Sequence, residues 1–222
     1  MNSKKIPAPT VGRLSIYLKC FSELSVSGVD YASSGHVAKL MGLNPAQVRK
    51  DLAYFGKFGR RGYGYSVESL KENISKILGT HKEWKVGVIG AGNLGSALLM
   101  YGGFMNRGFK IAAGFDVDPA KLGWELNNVR IFHIDELENV IKREKLEIVI
   151  ITTPKDAITG VVERLKKTRI KGVLNFAGRH LISADDFVVR NVDLALEMEQ
   201  LTFFITNKDG VLKEGSAGEK DE

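Results

Sequence analysis

Cysteine is almost absent from this chain of 222 residues, which contains only Cys20. A single cysteine excludes an intrachain disulfide framework and any zinc or iron–sulfur site built from several cysteines, so we predict no metal site. No uninterrupted apolar run approaches the ~20 residues that a membrane-spanning helix needs. The first residues, MNSKKIPAPT, lack the apolar segment of a signal peptide. We therefore expect a globular, cytosolic protein with no membrane partner, in which Cys20 is a core residue.

The positive charge of the chain is confined to its first third. Residues 1–79 contain 12 Lys and Arg against 5 Asp and Glu, whereas residues 80–222 contain 20 against 21. The net charge of +6 therefore comes entirely from the first part. A basic region of this kind is typical of nucleic-acid binding, although a solvated basic surface without a partner gives the same composition.

The pattern of apolar residues predicts two domains. A helical pattern beginning at Val67 ends at Gly79, and the strand KVGVIG follows after a short polar stretch. Strands are predicted at 85–89, 110–115, 148–152, 172–176 and 192–196, with a weaker one at 129–132. Helices are predicted at 10–25, 34–41, 44–55, 93–107, 136–144, 155–167 and 197–207. The alternation after residue 80 predicts a parallel sheet covered by helices on both faces. We therefore predict domains over 1–79 and 80–196, then the helix 197–207 and a disordered tail over 208–222.

The first domain contains a predicted helix-turn-helix with the sequence HVAKLMGLNPAQVRKDLAYFG. Gly42 supplies the turn, Asn44 is expected to cap the second helix, and Gln47 would complete a capping box. The expected small core is Val37, Leu40, Leu43, Val48, Leu52 and Phe55. The polar residues left on the second helix as candidate DNA contacts are Gln47, Arg49, Lys50 and Tyr54. Such a second helix enters the major groove of DNA, although a plain helical hairpin has the same pattern.

A glycine-rich segment, GKFGRRGYGY, follows at residues 56–65 with four glycines and three cations. A hairpin here with Arg60 and Arg61 at its tip would form a wing that reaches a narrow minor groove. The first domain is therefore predicted to be a winged helix-turn-helix that binds double-stranded DNA.

The second domain begins with a glycine-rich turn, GAGNLG, at residues 90–95. It directly follows a predicted strand and opens a predicted helix, which is the context of a dinucleotide-binding turn. Gly90 permits the tight turn, Gly92 lets the backbone approach a pyrophosphate, and Gly95 allows close packing of helix on strand. The candidate contacts in the turn are Gly90, Ala91, Gly92, Asn93, Leu94, Gly95 and Ser96.

Asp116 ends the second strand of this domain, 21 residues after Gly95. An acid at this spacing accepts hydrogen bonds from the adenosine ribose, and its charge repels a 2′-phosphate. No arginine follows immediately, so NADH and NAD+ are predicted rather than NADP(H). Asp118 is a rival for this role, although it more typically lies in the following loop.

Catalysis would require a general acid or base beside the nicotinamide. His133 and His180 are the histidines of this domain after the glycine-rich turn, and neither has a recognisable partner in the sequence. We therefore predict that the chain is not an enzyme. The alternatives are a small NAD-dependent oxidoreductase with a basic dimerisation domain, and a nucleotide-gated partner protein that binds no DNA.

The sequence resembles the Rex family of bacterial redox-sensing repressors over about residues 5–207. The matching stretches are IPAPTVGRLSIYL, QVRKDLAYFG, RRGYGYSV, GAGNLGSALLMYGGF, FDVDPAKLG, GVLNFA and VRNVDLALEMEQL. The resemblance implies a homodimer in which the C-terminal helix is exchanged between subunits. It also implies that a high NADH/NAD+ ratio closes the dimer and releases a palindromic, A·T-rich operator.

The resemblance also implies roles for individual residues. Ser34, Lys50 and Arg61 would contact DNA, with Arg49 and Tyr65 nearby. Tyr101 and Asp193 of the partner subunit would form the hydrogen-bonded pair that reports the state of the nicotinamide. The remaining candidate cofactor contacts are Thr153, Pro154 and Leu194, of which Leu194 would lie near the nicotinamide.

The sequence departs from the family pattern at two places. Lys19 stands where some relatives have an arginine of the switch, so the charge is kept but the bidentate fork is lost. Gly178 and Arg179 replace the proline that commonly follows the NFA segment. These departures affect the details of the predicted switch.

Overall fold

The computed structural model describes residues 6–60, 62–183 and 186–207, which form two compact units that meet between Glu83 and Trp84. Arg61 and the predicted disordered tail, residues 208–222, lie outside the described residues. The division lies within the short polar stretch that follows Gly79.

The first unit consists of helices around a small antiparallel sheet. The helices are α1 (Ala8–Val26), α2 (Ser34–Met41), α3 (Pro45–Ala53) and α4 (Val67–Leu78), and the strands are β1 (Tyr31–Ala32), β2 (Gly59–Arg60) and β3 (Gly64–Ser66). The strand order is β1-β3-β2. α1 supplies the largest buried side chains, Tyr17 and Phe21 among them, because its apolar residues recur every three or four positions. Cys20 is buried in the same core, as expected.

The second unit contains one seven-stranded sheet. Its strands are β4 (Trp84–Ile89), β5 (Phe109–Asp116), β6 (Glu125–Leu126), β7 (Val129–His133), β8 (Ile148–Ile151), β9 (Gly172–Asn175) and β10 (Val188–Asn191). The strand order is β10-β9-β8-β4-β5-β7-β6, and every pair is parallel except β6 with β7. The chain first extends from β4 through β5 to β7 and then returns to the other side of β4 at β8. Ligands bind at such a switch point, outside the carboxyl ends of the strands.

Helices cover both faces of this sheet: α5 (Asn93–Met100), α6 (Leu137–Glu144) and α7 (Ile158–Leu165). Successive side chains of a strand point to opposite faces, so Val88 and Ile89 fall into different apolar clusters. Leu99 of α5 packs in the cluster of Val88, whereas α6 and α7 pack in that of Ile89. The predicted parallel sheet with helices on both faces is therefore confirmed. The last helix, α8 (Leu194–Thr206), has no buried residue within the chain.

Several predicted elements differ from the structure. The strand predicted at 192–196 is wrong: β10 ends at Asn191, and the side chain of Asp193 caps α8 by accepting a hydrogen bond from the Ala195 N–H at 2.9 Å. The helix predicted at 93–107 is interrupted at Tyr101, whose backbone is extended, and continues as a 3-10 helix. Leu40, predicted in the core, is 51% exposed. Among the described residues, no helix combines the length and apolar character needed to span a bilayer.

Candidate nucleotide-binding and DNA-binding sites

The glycine-rich turn lies between β4 and α5, at the switch point of the sheet. Gly90 has a φ of +97°, which favours glycine, and Thr152 holds the turn by donating its hydroxyl to the Gly90 carbonyl at 2.7 Å. A Cβ on Gly95 would lie 1.7 Å from the Gly90 carbonyl oxygen, so only glycine lets the helix pack this closely. A Cβ on Gly92, in contrast, would meet nothing within 4 Å. The turn therefore leaves open space where the backbone N–H groups of α5 begin.

Asp116 lies directly beside this turn. Its Oδ2 accepts the Ala91 N–H at 2.7 Å and faces the Lys121 ammonium at 3.2 Å, while its Oδ1 accepts the Asp118 N–H at 2.9 Å. Burial opposes ionisation of this carboxyl, but the hydrogen bonds from Asp118, Ala91 and Lys121 hold its pKa below the ordinary value. A carboxylate has about four acceptor sites, so one site on Oδ1 is left for a ligand hydroxyl. Asp118 itself caps the following turn through the Ala120 N–H, which is the loop role expected of it.

Thr153 and Pro154 follow β8, whose carboxyl end is next to that of β4. The Thr153 hydroxyl oxygen is buried, and within the described residues it has no hydrogen-bond partner. An unpaired buried polar atom is costly and calls for an explanation. An orphaned hydroxyl, the open space at Gly92 and the remaining acceptor site of Asp116 together fit a dinucleotide with a ribose and a pyrophosphate.

The other residues predicted near the nicotinamide lie on the surface. Tyr101 is 59% exposed, and its ring packs edge-on against Phe104. Leu194 is 63% exposed at the start of α8, next to the capping residue Asp193. Lys19 belongs to the first unit, where its ammonium lies 3.9 Å from the Glu23 carboxylate. Within one chain, the structure therefore brings together the glycine-rich turn, Asp116 and the end of β8, and the pairing of the switch residues stays a prediction.

Of the two histidines considered for catalysis, His133 has one acidic neighbour, since its Nδ1 lies 3.2 Å from the Asp135 carboxylate. His133 Nδ1 accepts the Asp135 N–H at 3.3 Å and caps a 3-10 turn. His180 is exposed on the loop that follows β9. Among the described residues, no group of three or more His, Cys, Asp or Glu side chains is arranged to hold a metal ion.

In the first unit, α2 and α3 form the predicted helix-turn-helix. Gly42 ends α2 in the left-handed conformation, and Asn44 caps α3 by accepting the Ala46 N–H at 2.7 Å. The predicted capping box is wrong, because the Gln47 amide donates instead to the buried carboxylate of Asp51 at 2.8 Å. The sequence of α3 does not predict this contact. The one sign of it is that an acidic residue, Asp51, stands among the apolar residues of the inward face.

The predicted DNA contacts differ in their exposure and in the hydrogen bonds that they already make. Lys50 and Arg60 are exposed, and Arg49 donates to the Ser34 hydroxyl at 3.0 Å, which joins α3 to the start of α2. Tyr54 is half-buried at the end of α3. Tyr65 is only 8% exposed and packs in the core of the unit. The role of each residue toward DNA stays a prediction, and that of Arg61 lies outside the described residues.

The wing consists of β2 and β3, with β1 paired to the other edge of β3. Gly64 has a φ of +86°, and a Cβ there would lie 2.5 Å from the Ala32 carbonyl oxygen. The base of the wing is therefore held close against β1. This arrangement confirms the glycine-rich hairpin predicted from the sequence.

Two family models match separate parts of the chain. A CoA binding domain matches residues 81–178, and a putative DNA-binding protein N-terminus matches residues 5–53. The second match lies in the first unit, and the first match begins three residues before the second unit and otherwise lies in it.

Relatives match almost the whole chain. The redox-sensing transcriptional repressor Rex of Syntrophobacter fumaroxidans is 44% identical over 93% of this chain and 99% of its own length. The protein of the same name from Carboxydothermus hydrogenoformans is 46% identical over 92% and 99%. The crystal structure of RSP in complex with β-NAD+ and operator DNA has a TM-score of 0.85 at 33% identity, and it covers 96% of this chain and 99% of that one. Another, of RSP with β-NADH, has a TM-score of 0.82 at 32% identity over 95% and 99%. With this identity across both units, the chain belongs to the Rex family of redox-sensing transcriptional repressors.

Proposed function

We propose that this chain is a transcriptional repressor that binds operator DNA through its first unit and senses the NADH/NAD+ ratio through its second. The observation that carries this conclusion is the match to RSP, which was solved with both β-NAD+ and operator DNA and in a separate structure with β-NADH. The match covers 96% of the chain and therefore extends over both units. The protein is a DNA-binding regulator rather than an enzyme, so the oxidoreductase alternative is set aside. Its place of action is the cytoplasm, where the bacterial chromosome lies.

The nucleotide is held by groups at the switch point of the sheet. The N–H groups at the start of α5 would bind the pyrophosphate, and Gly92 leaves room for it. The free acceptor site of Asp116 would take a ribose hydroxyl, and the Thr153 hydroxyl would gain a partner that it lacks among the described residues. The nicotinamide supplies the redox signal, since its ring is cationic in NAD+ and neutral in NADH.

DNA is contacted by the outward face of α3 and by the wing. Lys50 and Arg49 lie on the exposed side of α3 and Arg60 on the exposed side of the wing, so their charges are available to phosphates and base edges. Ser34 lies at the start of α2, where Arg49 already contacts it. Gln47 is occupied by Asp51 and is a weaker candidate for base recognition.

The functional unit is a homodimer. Seven large apolar side chains of α8 are at least half exposed: Leu194, Leu196, Met198, Leu201, Phe203, Phe204 and Ile205. A helix with this much exposed apolar surface is covered by a partner, and the family resemblance indicates a second copy of the chain. In that dimer, Tyr101 would pair with Asp193 of the partner subunit, with Lys19 as the third member of the switch.

The regulation is a shift between two dimer conformations. NADH must bind the conformation that cannot engage DNA more tightly than the one that can, and such coupling is typically ~1–3 kcal/mol. Two half-sites one or more helical turns apart are then no longer matched by the two recognition helices. An A·T-rich palindromic operator follows from the two-fold symmetry and from a wing that carries arginine.

Fluorescence anisotropy on a palindromic, A·T-rich duplex tests this proposal at a fixed salt concentration. We expect specific binding that NADH weakens at least fivefold and NAD+ does not. Lys50→Ala should weaken binding, whereas Lys76→Ala, which removes an exposed cation from α4, serves as the matched control. DNA binding that ignores both nucleotides would contradict the sensor function. The absence of binding to several selected duplexes, with NADH still bound, would favour the partner protein that binds no DNA.

A further inference from the structure

We propose that Asp51 is a positioning residue for DNA recognition, because its buried carboxylate fixes the rotation of the recognition helix α3 against α1. The inference rests on the proposed function, since it assumes that α3 reads DNA. It assigns to Asp51, Arg13 and Tyr17 a role that neither the helix-turn-helix pattern nor the exposed basic residues indicate.

Five hydrogen bonds from four side chains converge on the Asp51 carboxylate. Arg13 binds it with both arms of its fork, Nε to Oδ2 at 2.5 Å and Nη2 to Oδ1 at 2.8 Å. The Tyr17 hydroxyl donates to Oδ2 at 2.8 Å, the Gln47 amide to Oδ1 at 2.8 Å, and the Thr10 hydroxyl to Oδ1 at 3.3 Å. Three of these four residues belong to α1, so the cluster joins α3 to a different helix. We call these five residues the Asp51 cluster.

The centre of the Asp51 cluster is a buried, ionised carboxylate, and Arg13 at its edge is 25% exposed. Asp51 is 0% exposed, and Tyr17 is also fully buried. Burial opposes ionisation of Asp51, but the hydrogen bonds from Arg13, Tyr17 and Gln47 hold its pKa below the ordinary value. The hydrogen bond to Asp51 likewise raises the pKa of Arg13. The pair is therefore charged on both sides at neutral pH.

Stability alone does not account for such a cluster. Replacing a buried ion pair by well-packed apolar residues is often neutral or stabilising, because taking two charges out of water is expensive. Hydrogen bonds fix the orientation of a helix more strictly than apolar packing does, because dispersion and hydrophobic burial depend less on direction. A bidentate arginine fork and a phenol hydroxyl fix the carboxylate in more than one direction.

The orientation that is fixed is the one that presents the DNA-facing side chains. Val48, Asp51 and Leu52 form the inward face of α3 and are buried, whereas Arg49 and Lys50 are exposed. Successive residues of a helix are separated by about 100°. Rotation of α3 about its axis therefore displaces Arg49 and Lys50 together, and holding Asp51 prevents that rotation.

The test separates positioning from mere stabilisation by replacing the cluster with apolar residues. The triple variant Arg13→Met/Tyr17→Phe/Asp51→Leu removes both charges and the Tyr17 hydroxyl together, so that no charge is left unpaired. For each variant, anisotropy gives the ratio of two affinities, one for a duplex selected from a random library with the wild-type protein and one for a scrambled duplex of the same composition. Thermal unfolding and NADH binding are measured on the same full-length preparations.

We expect the triple variant to fold and to bind NADH as the wild type does, but to lose roughly tenfold in the ratio of specific to scrambled binding, a loss of the size of one base contact. Glu68→Gln is the matched control, because Glu68 accepts from Ser25 of α1 and from Lys71 and so joins α1 to α4 instead of α3. Its ratio should stay at the wild-type value.

A folded triple variant with the wild-type ratio would overturn the positioning role. If the triple variant does not fold, the single variant Tyr17→Phe tests the proposal, because it removes only one buried hydrogen-bond donor to Asp51. We expect its ratio to fall about threefold, a part of the loss of one base contact, and an unchanged ratio overturns the proposal. Failure of the wild-type protein to prefer any selected duplex would count against the proposed function instead.

Discussion

Asp51 in the first unit and Asp116 in the second are both buried carboxylates whose pKa values lie below the ordinary range. Asp51 receives five hydrogen bonds, all from side chains, and is 0% exposed. Asp116 receives two from backbone N–H groups and one from Lys121, and it is 9% exposed. All acceptor sites of the first carboxylate are filled within the protein, whereas the second keeps one site. The number of free acceptor sites thus separates a carboxylate that orients a helix from one that is available to a ligand.

The glycine-rich turn beside Asp116 gives the largest expected effect. In Gly95→Ala, the new methyl group would lie 1.7 Å from a backbone oxygen, so the turn must open. We expect loss of measurable NADH binding and a lower melting temperature of the second unit. In Gly92→Ala, the methyl group meets nothing within 4 Å and occupies the space left for the pyrophosphate. That variant should keep its melting temperature and still bind NADH at least tenfold more weakly.

NADH fluorescence titration and thermal unfolding measure both properties in each variant. Equal NADH affinity of Gly92→Ala and the wild type would show that the nucleotide does not use this turn. Both tryptophans, Trp84 and Trp124, lie in the second unit, so their fluorescence follows that unit alone.

The dependence of stability on acidic pH tests the role of Asp51 in the first unit. Because its folded pKa is below the unfolded value, its contribution to stability is complete above the unfolded pKa of ~3.9 and is lost as the pH falls through the folded pKa. Asp51→Asn leaves Arg13, whose side chain is 25% exposed, without its counter-charge, and the loss of hydrogen bonds to a charged group typically costs about 1.5–3 kcal/mol. We expect this variant to be less stable at pH 7 and its first unit to lose less stability between pH 5 and pH 2 than that of the wild type.

Far-UV circular dichroism follows both units in that experiment, whereas tryptophan fluorescence follows only the second. The acid-dependent difference between wild type and variant should appear in the dichroism and be absent from the fluorescence. The same acid sensitivity in both proteins would mean that Asp51 does not supply it.

Asp116→Asn should weaken nucleotide binding less than the glycine variants do. It should also lower stability, because the amide nitrogen must face a donor, either the Ala91 N–H or the Asp118 N–H. The amide keeps an acceptor for the ribose but loses the charge that repels a 2′-phosphate. We expect NADH to bind roughly tenfold more weakly and the preference for NADH over NADPH to fall by a similar factor, about 1.4 kcal/mol each. Parallel titrations with the two nucleotides measure the preference directly, and Asp118→Asn, which alters the neighbouring capping carboxylate, is the control. A preference unchanged in Asp116→Asn but lost in Asp118→Asn would assign the role to Asp118.

The sequence predicts those parts of the nucleotide site whose residues must stand at a fixed, short distance from a strand along the chain. The turn at residues 90–95 and the acid 21 residues later are of this kind, since each follows a strand that the apolar pattern predicts. The Asp51 cluster is not, because Arg13 lies 38 residues away and no periodicity indicates which partner a buried acid has. The sequence predicts a strand at 192–196 because a short apolar run fits strand and helix equally. The capping hydrogen bond of Asp193 decides in favour of the helix.

Thr153→Val gives the smallest expected effect and the most direct test of the orphaned hydroxyl. The substitution keeps the shape and removes a buried oxygen that has no partner among the described residues, so stability without nucleotide should be unchanged or higher by about 1 kcal/mol. If the hydroxyl contacts the nucleotide, the same variant should bind NADH several-fold more weakly. Thr152→Val is the contrasting control, since its hydroxyl already donates to the Gly90 carbonyl and its loss should lower stability. A Thr153→Val protein that is more stable and binds NADH as tightly as the wild type would place the nucleotide away from the end of β8. A Thr153→Val protein that gains stability and loses affinity for NADH would show that the Thr153 hydroxyl, like the free acceptor site of Asp116, is kept for the nucleotide.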